Sequence, residues 1–408
     1  MSTDVPMFNP FDPTFRANPY PFYERWRQHS PVMQTPLGFT VLTRYEDVAR
    51  TLRSNEFARD IEAHIEARPD DPRNARRERL RQRREEGQIA KSILNLDPPD
   101  HTRLRRLVSL AFTPSAIERL RPSVQQLVDV VLDTAAERGA MEIVEELAFP
   151  VPFQVISDLL DLPTDGSEQI REWSQTLTAS LEPTADDATM DATEIASQQM
   201  GEYLRDIVAH RRQHLGDDLL SALIQAEEAG DRLTEPELLS FVVLLYVAGH
   251  ETTVNLIGNG MLALLRHPDQ LRMWAADPSL DVNAVDELLR FDGPVQQTVR
   301  VPLVDVDYGG VTVKANTMVM TVLGSASHDP EVFDGPETLR LDRPNANRHL
   351  GFAAGVHYCL GSSLAKLETS VAITSLIRRF PEVALDGEPH WRDRLTIRGV
   401  DHLPVALR

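Results

Sequence analysis

Phe352 to Gly361 reads FAAGVHYCLG and contains Cys359, the single cysteine in 408 residues. One thiol forms no intramolecular disulfide, and four-cysteine zinc sites are excluded. A lone cysteine is commonly a small core residue, but its surroundings argue for more. Gly355 and Gly361 flank the thiol, and glycines let the backbone turn sharply and admit a large group. His357 stands two residues before it. The aliphatic run Leu360 to Thr369 predicts a helix directly afterwards. The sulfur therefore lies on a loop entering a helix N-terminus, where N–H groups and the helix dipole favour a thiolate. A thiolate held this way suits axial ligation of a haem iron.

The pattern F-x-x-G-x-H-x-C-x-G followed by a helix resembles the haem-binding signature of the cytochrome P450 family of haem-thiolate monooxygenases. Ala353 departs from the glycine usual at that position. The resemblance implies a mainly α fold with small β-sheets (α+β), a triangular helical prism around haem b with Cys359 as the metal ligand. It implies one domain over residues 1–408, with a β-rich lobe near 30–60, 294–324 and 391–408. Phe352, His357 and Gly361 belong to its cofactor loop.

A second stretch is as informative. Thr234-Glu235-Pro236-Glu237 is a capping-box pattern, and it opens a long helix to about Leu265. Leu238 to Ala248 is apolar almost all round, which predicts burial in the middle of the fold. Ala248-Gly249-His250-Glu251-Thr252-Thr253 interrupts that run. A carboxylate and hydroxyls inside a buried helix are costly unless paired, and Gly249 weakens the helix by about 1 kcal/mol relative to Ala. Without further context, a polar kink satisfied by backbone and water explains this. A-G-x-E-T-T also resembles the family's oxygen-binding groove. The resemblance implies that Gly249 leaves room beside the haem, and that Glu251 and Thr252 are catalytic and deliver protons to bound O2.

Two further motifs occur in family order. In Leu96 to Phe112, Asp100 can cap a helix on which His101 and Arg105 share a face. H-x-x-x-R resembles the pair that holds a haem propionate. Glu287 and Arg290 stand three apart on a helical segment, by composition a routine ion pair. E-x-x-R here resembles the family's buried structural pair, with Arg343 matching its third arginine. Arg300 lies where the family has another propionate-binding arginine. Val295, Gln296, Val299 and Ile397 would border the substrate. Ser325 to Pro330, SASHDP, departs from the usual A-N-R-D-P.

Around these motifs the chain reads simply. Pro- and Phe-rich residues 1–21 are expected to drape over the surface without forming a helix. Val32–Gln34 and Phe39–Thr43 look like paired strands. Helical spacing marks Phe22–Gln28, Tyr45–Arg53, Ile117–Ala136, Pro152–Leu160, Ser167–Leu181 and Asp191–His214. Thr298–Val301, Val311–Val313 and Met318–Leu323 have β character, with Gly309-Gly310 as a turn. Trp391–Val405 resembles a closing hairpin. Residues 60–90 carry Arg68, Arg73, Arg76, Arg77, Arg79, Arg81, Arg83 and Arg84. They read as a solvated helix or loop, or as a lid or contact for an acidic substrate or carrier.

Asp plus Glu number 62 against 42 Lys plus Arg, a formal net charge of −20. That argues against nucleic acid and anionic membranes as partners. The N-terminus lacks a basic n-region and an apolar h-region, and Phe241–Ala248 is far too short to span a bilayer. A cytoplasmic monomer is expected, with no membrane association. No fused flavin or iron–sulfur domain is expected either. Electrons would come from NAD(P)H through separate ferredoxin and ferredoxin reductase proteins, which Arg103, Arg106 and Lys366 would face. The pocket segments suggest a lipophilic small-molecule substrate. A haem-thiolate peroxygenase, a coupling enzyme, a haem-based sensor and a haem-free helical interaction protein remain alternatives.

Overall fold

A computed structural model describes residues 7–36, 38–66, 74–109, 112–163, 166–228 and 231–408. It is mainly helical, with one five-stranded sheet and several smaller ones. The organising element is the helix Glu235–Arg266, here called the central helix. Both halves of the capping box form: Thr234 Oγ1 accepts from Glu237 N, and Glu237 Oε2 accepts from Thr234 N at 2.8 Å. Its N-terminal half packs in an apolar cluster with Pro150–Leu160, Ser167–Ala179 and Asp187–Gln213. Its C-terminal half packs in a second cluster with Arg121–Arg138, Asp281–Asp292 and Ser362–Arg379. This helix is long and apolar enough to cross a membrane, but 67% of its most apolar stretch is buried within the protein. That is the signature of a core helix.

The main sheet has five strands in the order Val32–Gln34, Phe39–Leu42, Met318–Val322, Gln297–Pro302, Phe57–Ala58. Met318–Val322 runs parallel to Phe39–Leu42, with Met318 opposite Phe39, and antiparallel to Gln297–Pro302, with Val319 opposite Arg300. Val306–Tyr308 pairs with Val311–Val313 across Gly309-Gly310, both at positive φ. The first strand of that hairpin is absent from the β segments read in the sequence.

Several boundaries differ from expectation. Residues 1–21 do contain a helix among the described residues. Asp12 accepts from Thr14 N at 2.8 Å and caps Pro13–Ala17, while Phe8 and Phe15 are buried against Trp26. Burying those rings outweighs the local Pro content. The expected helix Ile117–Ala136 is two, Pro114–Glu118 and Arg121–Arg138, the second starting with Pro122 in its first turn. The Arg-rich stretch forms Asn74–Glu85. It is not simply solvated: Arg76 and Arg79 reach Glu194, and Arg84 reaches Glu62. Arg68 and Arg73 lie outside the described residues.

Candidate haem site

The Cys359 loop is held by backbone geometry. A single turn, Gly355–His357, precedes the cysteine, and Cys359 N donates to Phe352 O at 3.0 Å. Gly355 has φ +72°, and a Cβ there would come within 2.3 Å of Leu52 O, so only glycine fits. Gly361 caps the helix Ser362–Arg379, and nothing lies near its absent Cβ. Ala353 adopts φ +56°. The substitution of alanine for the usual glycine therefore places a Cβ in the left-handed region, at a cost of about 1–2 kcal/mol.

Cys359 is half-buried and makes no disulfide. Burial pushes its thiol pKa up, while the Gly361 N–H and the Arg105 charge pull it down. The expected thiolate preference of the helix start is thus outweighed by desolvation in the protein alone. Arg105 Nη2 donates to Tyr358 O at 2.7 Å, fixing the guanidinium beside the loop.

His101, Arg105, Arg300 and His357, far apart in sequence, come together. The His101 and His357 rings are 4.2 Å apart. Burial, then the charges of His101, Arg300, Arg59 and Arg105, hold His357 down to about 3. Burial and the neighbouring Arg59 lower Arg300 to about 9. Arg300 donates to Val299 O at 2.8 Å, and Arg59 Nη1 to the same oxygen at 3.3 Å. Arg59 is a member of this group that the sequence reading missed; nothing but its place in the fold marks it. His101 Nδ1 and His357 Nε2 are buried without a hydrogen-bond partner. Mutually repelling cations and orphaned imidazole nitrogens crowded together are what a dianionic group such as the two haem propionates would satisfy. The residues fit the cofactor.

The central helix presents an open face towards the interior. Ala248 is exposed and Thr252 half-exposed, although the helix around them is buried. Thr252 Oγ1 donates to Ala248 O at 2.8 Å, and Thr253 Oγ1 to Gly249 O at 3.1 Å. These are the back-bonds expected of hydroxyls within helices. Gly249 does not take the role expected of it. A Cβ there would point at Ile156 of the neighbouring helix, 3.7 Å away in ordinary contact. It is Ala248 that lines the open space.

Glu251 is 2% exposed. Its Oε2 accepts from Arg392 Nη1 at 3.0 Å, and His250 Nε2 lies 3.6 Å from its Oε1. Burial raises its pKa, but His250, Arg392 and Arg394 outweigh burial and bring it to about 2. Arg392 and Arg394 come from the closing hairpin and were not singled out in the sequence.

Glu287 and Arg290 are fully buried. Glu287 accepts from Arg290 Nε (2.7 Å) and Nη2 (2.9 Å), from Arg343 Nε (3.0 Å) and from Arg340 N (2.9 Å). The remaining guanidinium donors reach the carbonyls of Ser327, Asp334, Gly335, Pro336 and Thr338. This triad is fully buried and is the opposite of a routine surface pair.

Val295 bridges to Ile397, joining the main sheet's approach to the closing hairpin. Gln296 is corrected: it precedes the strand Gln297–Pro302, is buried, and donates to Gly293 O at 2.7 Å and accepts from Tyr23 O–H at 3.2 Å. It belongs to the N-terminal aromatic cluster, not to the substrate rim. In SASHDP, the His328 ring packs tilted against Tyr20 at 4.4 Å, and Arg27 donates to Ser325 O at 2.9 Å, supplying a cation from elsewhere. Two of the three cations expected to face a redox partner are ion-paired within the protein. Arg103 pairs with Asp231 and Glu237, and Lys366 lies 2.5 Å from Asp286.

The cytochrome P450 family model matches residues 58–274 and 280–393. This chain belongs to the cytochrome P450 family. It is 36% identical to the polyketide biosynthesis cytochrome P450 PksS of Bacillus subtilis, covering 98% of both chains. It is 38% identical to the cytochrome P450 monooxygenase PikC of Streptomyces venezuelae, over 97% of this chain and 92% of that one. Among solved structures it resembles P450BioI in complex with hexadec-9Z-enoic acid ligated acyl carrier protein. The TM-score is 0.87 and the identity 34%, covering 97% and 99% of the chains. The P450 fold and the haem-thiolate monooxygenase class follow for this P450, with haem held by a cysteine thiolate.

Proposed function

We propose that the Cys359 thiolate would hold haem b and that this P450 inserts one atom of O2 into a lipophilic small molecule by hydroxylation or epoxidation. Electrons come from NAD(P)H through a separate ferredoxin reductase and ferredoxin. The observation that carries this is the pairing of the Cys359 loop with the buried, carboxylate-seeking cluster of His101, His357, Arg105 and Arg300. When bound, the haem supplies oxygen activation, to which a thiolate ligand lends electron density that favours O–O cleavage.

The chain's own residues do the rest. The Gly361 N–H and the Arg105 charge offset part of the burial that disfavours the thiolate. His101, His357, Arg105 and Arg300 hold the propionates, joined by Arg59. Thr252 rotates its hydroxyl from Ala248 O into the open face to donate a hydrogen bond. Glu251 passes protons from solvent towards it. Glu287, Arg290 and Arg343 fix the scaffold. Chain residues 1–408 act as one domain, a cytoplasmic monomer.

The substrate reading rests on the apolar rim, Val295, Val299 and Ile397, with half-buried Val243, Leu244 and Val247 on the central helix. Likeness to a polyketide-pathway P450 and to one solved with an acyl chain on its carrier favours an acyl or polyketide chain. Titrating the purified haem protein with fatty acids, macrolactones and steroids, and following the iron spin-state shift, tests this. Acyl or macrolactone compounds should produce the shift and be oxygenated at the expense of NAD(P)H and O2. Shifts from steroids alone would contradict it.

A further inference from the structure

Glu251 is the acid on which the proposed proton path depends, and its surroundings hold it as a carboxylate. The groups facing it come from three places. His250 on its own helix puts Nε2 at 3.6 Å. Arg392 and Arg394 come from the closing hairpin. Arg171, on Ser167–Ala179, adds a more distant positive charge and is itself paired with Glu145, which precedes Pro150–Leu160. Arg392 bonds the carboxylate directly, at 3.0 Å. A proton relay works best with a pKa near the working pH. Against burial, His250 first, then Arg392 and Arg394, hold Glu251 at about 2, and opening the Arg392 bond removes the one of these contacts that comes from a different element at hydrogen-bond distance.

Arg392 is itself fixed from two sides. Its N–H donates to Gly399 O at 2.9 Å. A Cβ at Gly399 would fall 1.7 Å from Asn255 Oδ1, so the hairpin backbone lies directly on the central helix, one turn beyond Glu251. Asn255 Nδ2 in turn donates to Glu251 O at 2.7 Å. On the other side, the hairpin is stapled to the end of Ser167–Ala179 and the turn after it. Arg394 donates to Thr178 Oγ1 (2.7 Å) and Gln175 O (3.0 Å). Glu182 accepts from Leu395 N (2.8 Å) and Thr396 N (3.1 Å), and Thr396 Oγ1 donates to Leu181 O at 2.9 Å. Ile397, on the substrate rim, follows immediately.

We propose that Arg392 is a positioning residue for proton delivery, clamping Glu251 from the closing hairpin, and that the bonds from residues 175–182 to that hairpin set the clamp. The step is a proton transfer only: solvent protonates the released carboxylate, which passes the proton on and returns to Arg392. The inference rests on the reading of Glu251 as the relay. It makes the substrate rim and the proton path two ends of one segment, residues 392–397.

The test uses Arg392→Gln, Arg392→Lys, Glu182→Gln and Glu251→Gln in the holoenzyme with two readouts. Difference infrared spectroscopy should show a protonated carboxyl near neutral pH in Arg392→Gln, absent from wild type and from the Arg392→Gln/Glu251→Gln double variant. The share of NAD(P)H electrons released as hydrogen peroxide should become pH-dependent in Arg392→Gln, changing by about tenfold across the neutral range. Arg392→Lys should restore the wild-type profile, and Glu182→Gln should move it partway. If Glu251→Gln raises peroxide release while Arg392→Gln shows neither the infrared band nor a changed profile, the clamp is overturned and the relay stands. If Glu182→Gln leaves the profile unmoved, the link to residues 175–182 is overturned. If Glu251→Gln itself changes neither peroxide release nor the solvent isotope effect, the relay reading falls and takes the clamp with it.

Discussion

The rings of His101 and His357 lie 4.2 Å apart, each with one buried nitrogen that lacks a partner. Without an anion nearby this arrangement is unfavourable, because desolvated donors and acceptors cost free energy when left unpaired. The protein therefore carries a local cost that the cofactor's carboxylates would repay.

His101→Phe and His357→Phe should each weaken haem retention by about 1.5–3 kcal/mol, the worth of a hydrogen bond to a charged group. The rate of haem transfer to an acceptor apoprotein checks this. The same substitutions should leave the haem-free protein as stable as wild type or more so, measured by chemical denaturation. A loss of stability without a change in haem retention would contradict the assignment.

Glu287→Gln should destabilise the fold by about 3–5 kcal/mol, because it strands two buried guanidinium groups. Arg290 and Arg343 are 1% exposed and both bond Glu287. Urea denaturation gives the value. A cost under about 1 kcal/mol, typical of an exposed pair, would remove the triad from the structural account.

Ala353→Gly should stabilise the protein slightly. It relieves a left-handed alanine at φ +56°, worth about 1–2 kcal/mol. The greater flexibility of an unfolded glycine takes back about 0.5–1 kcal/mol. The expected outcome is a small rise in melting temperature with an unchanged haem spectrum.

Stability should depend on pH through Glu251. Its folded value of about 2 lies below the ordinary carboxyl value of 4.5. The ionised form is therefore favoured by folding. The contribution is fully present above pH 4.5 and is lost as pH falls towards 2. It is on the order of 3 kcal/mol. Glu251→Gln should be less stable than wild type at neutral pH, and the gap should close under acid. Parallel stability curves for the two proteins would contradict the Arg392 pairing.

Much of this was legible in the sequence because the motifs are local. The Cys359 loop, the Thr234 capping box and Ala248–Thr253 each place their residues within a few turns of one another. What escaped the reading was non-local. Arg392 meets Glu251 across 141 positions, and Arg59 reaches Val299, its strand neighbour's carbonyl, across 240. Neither arginine sits in a pattern that sets it apart from the other surface-type arginines. Gln296 was misjudged because its partners, Gly293 O and the Tyr23 hydroxyl, are set by packing against the N-terminal segment and not by the local sequence. The acidic partners of Arg103 and Lys366, namely Asp231, Glu237 and Asp286, lie on other elements and so were not legible locally.

The central claim is thiolate ligation through Cys359. The absorption spectrum of the reduced protein under carbon monoxide, wild type beside Cys359→Ala, tests it most directly. The account predicts a strongly red-shifted Soret band in wild type and its loss in the variant. A wild-type band typical of histidine ligation, or the same red-shifted band in Cys359→Ala, would contradict it.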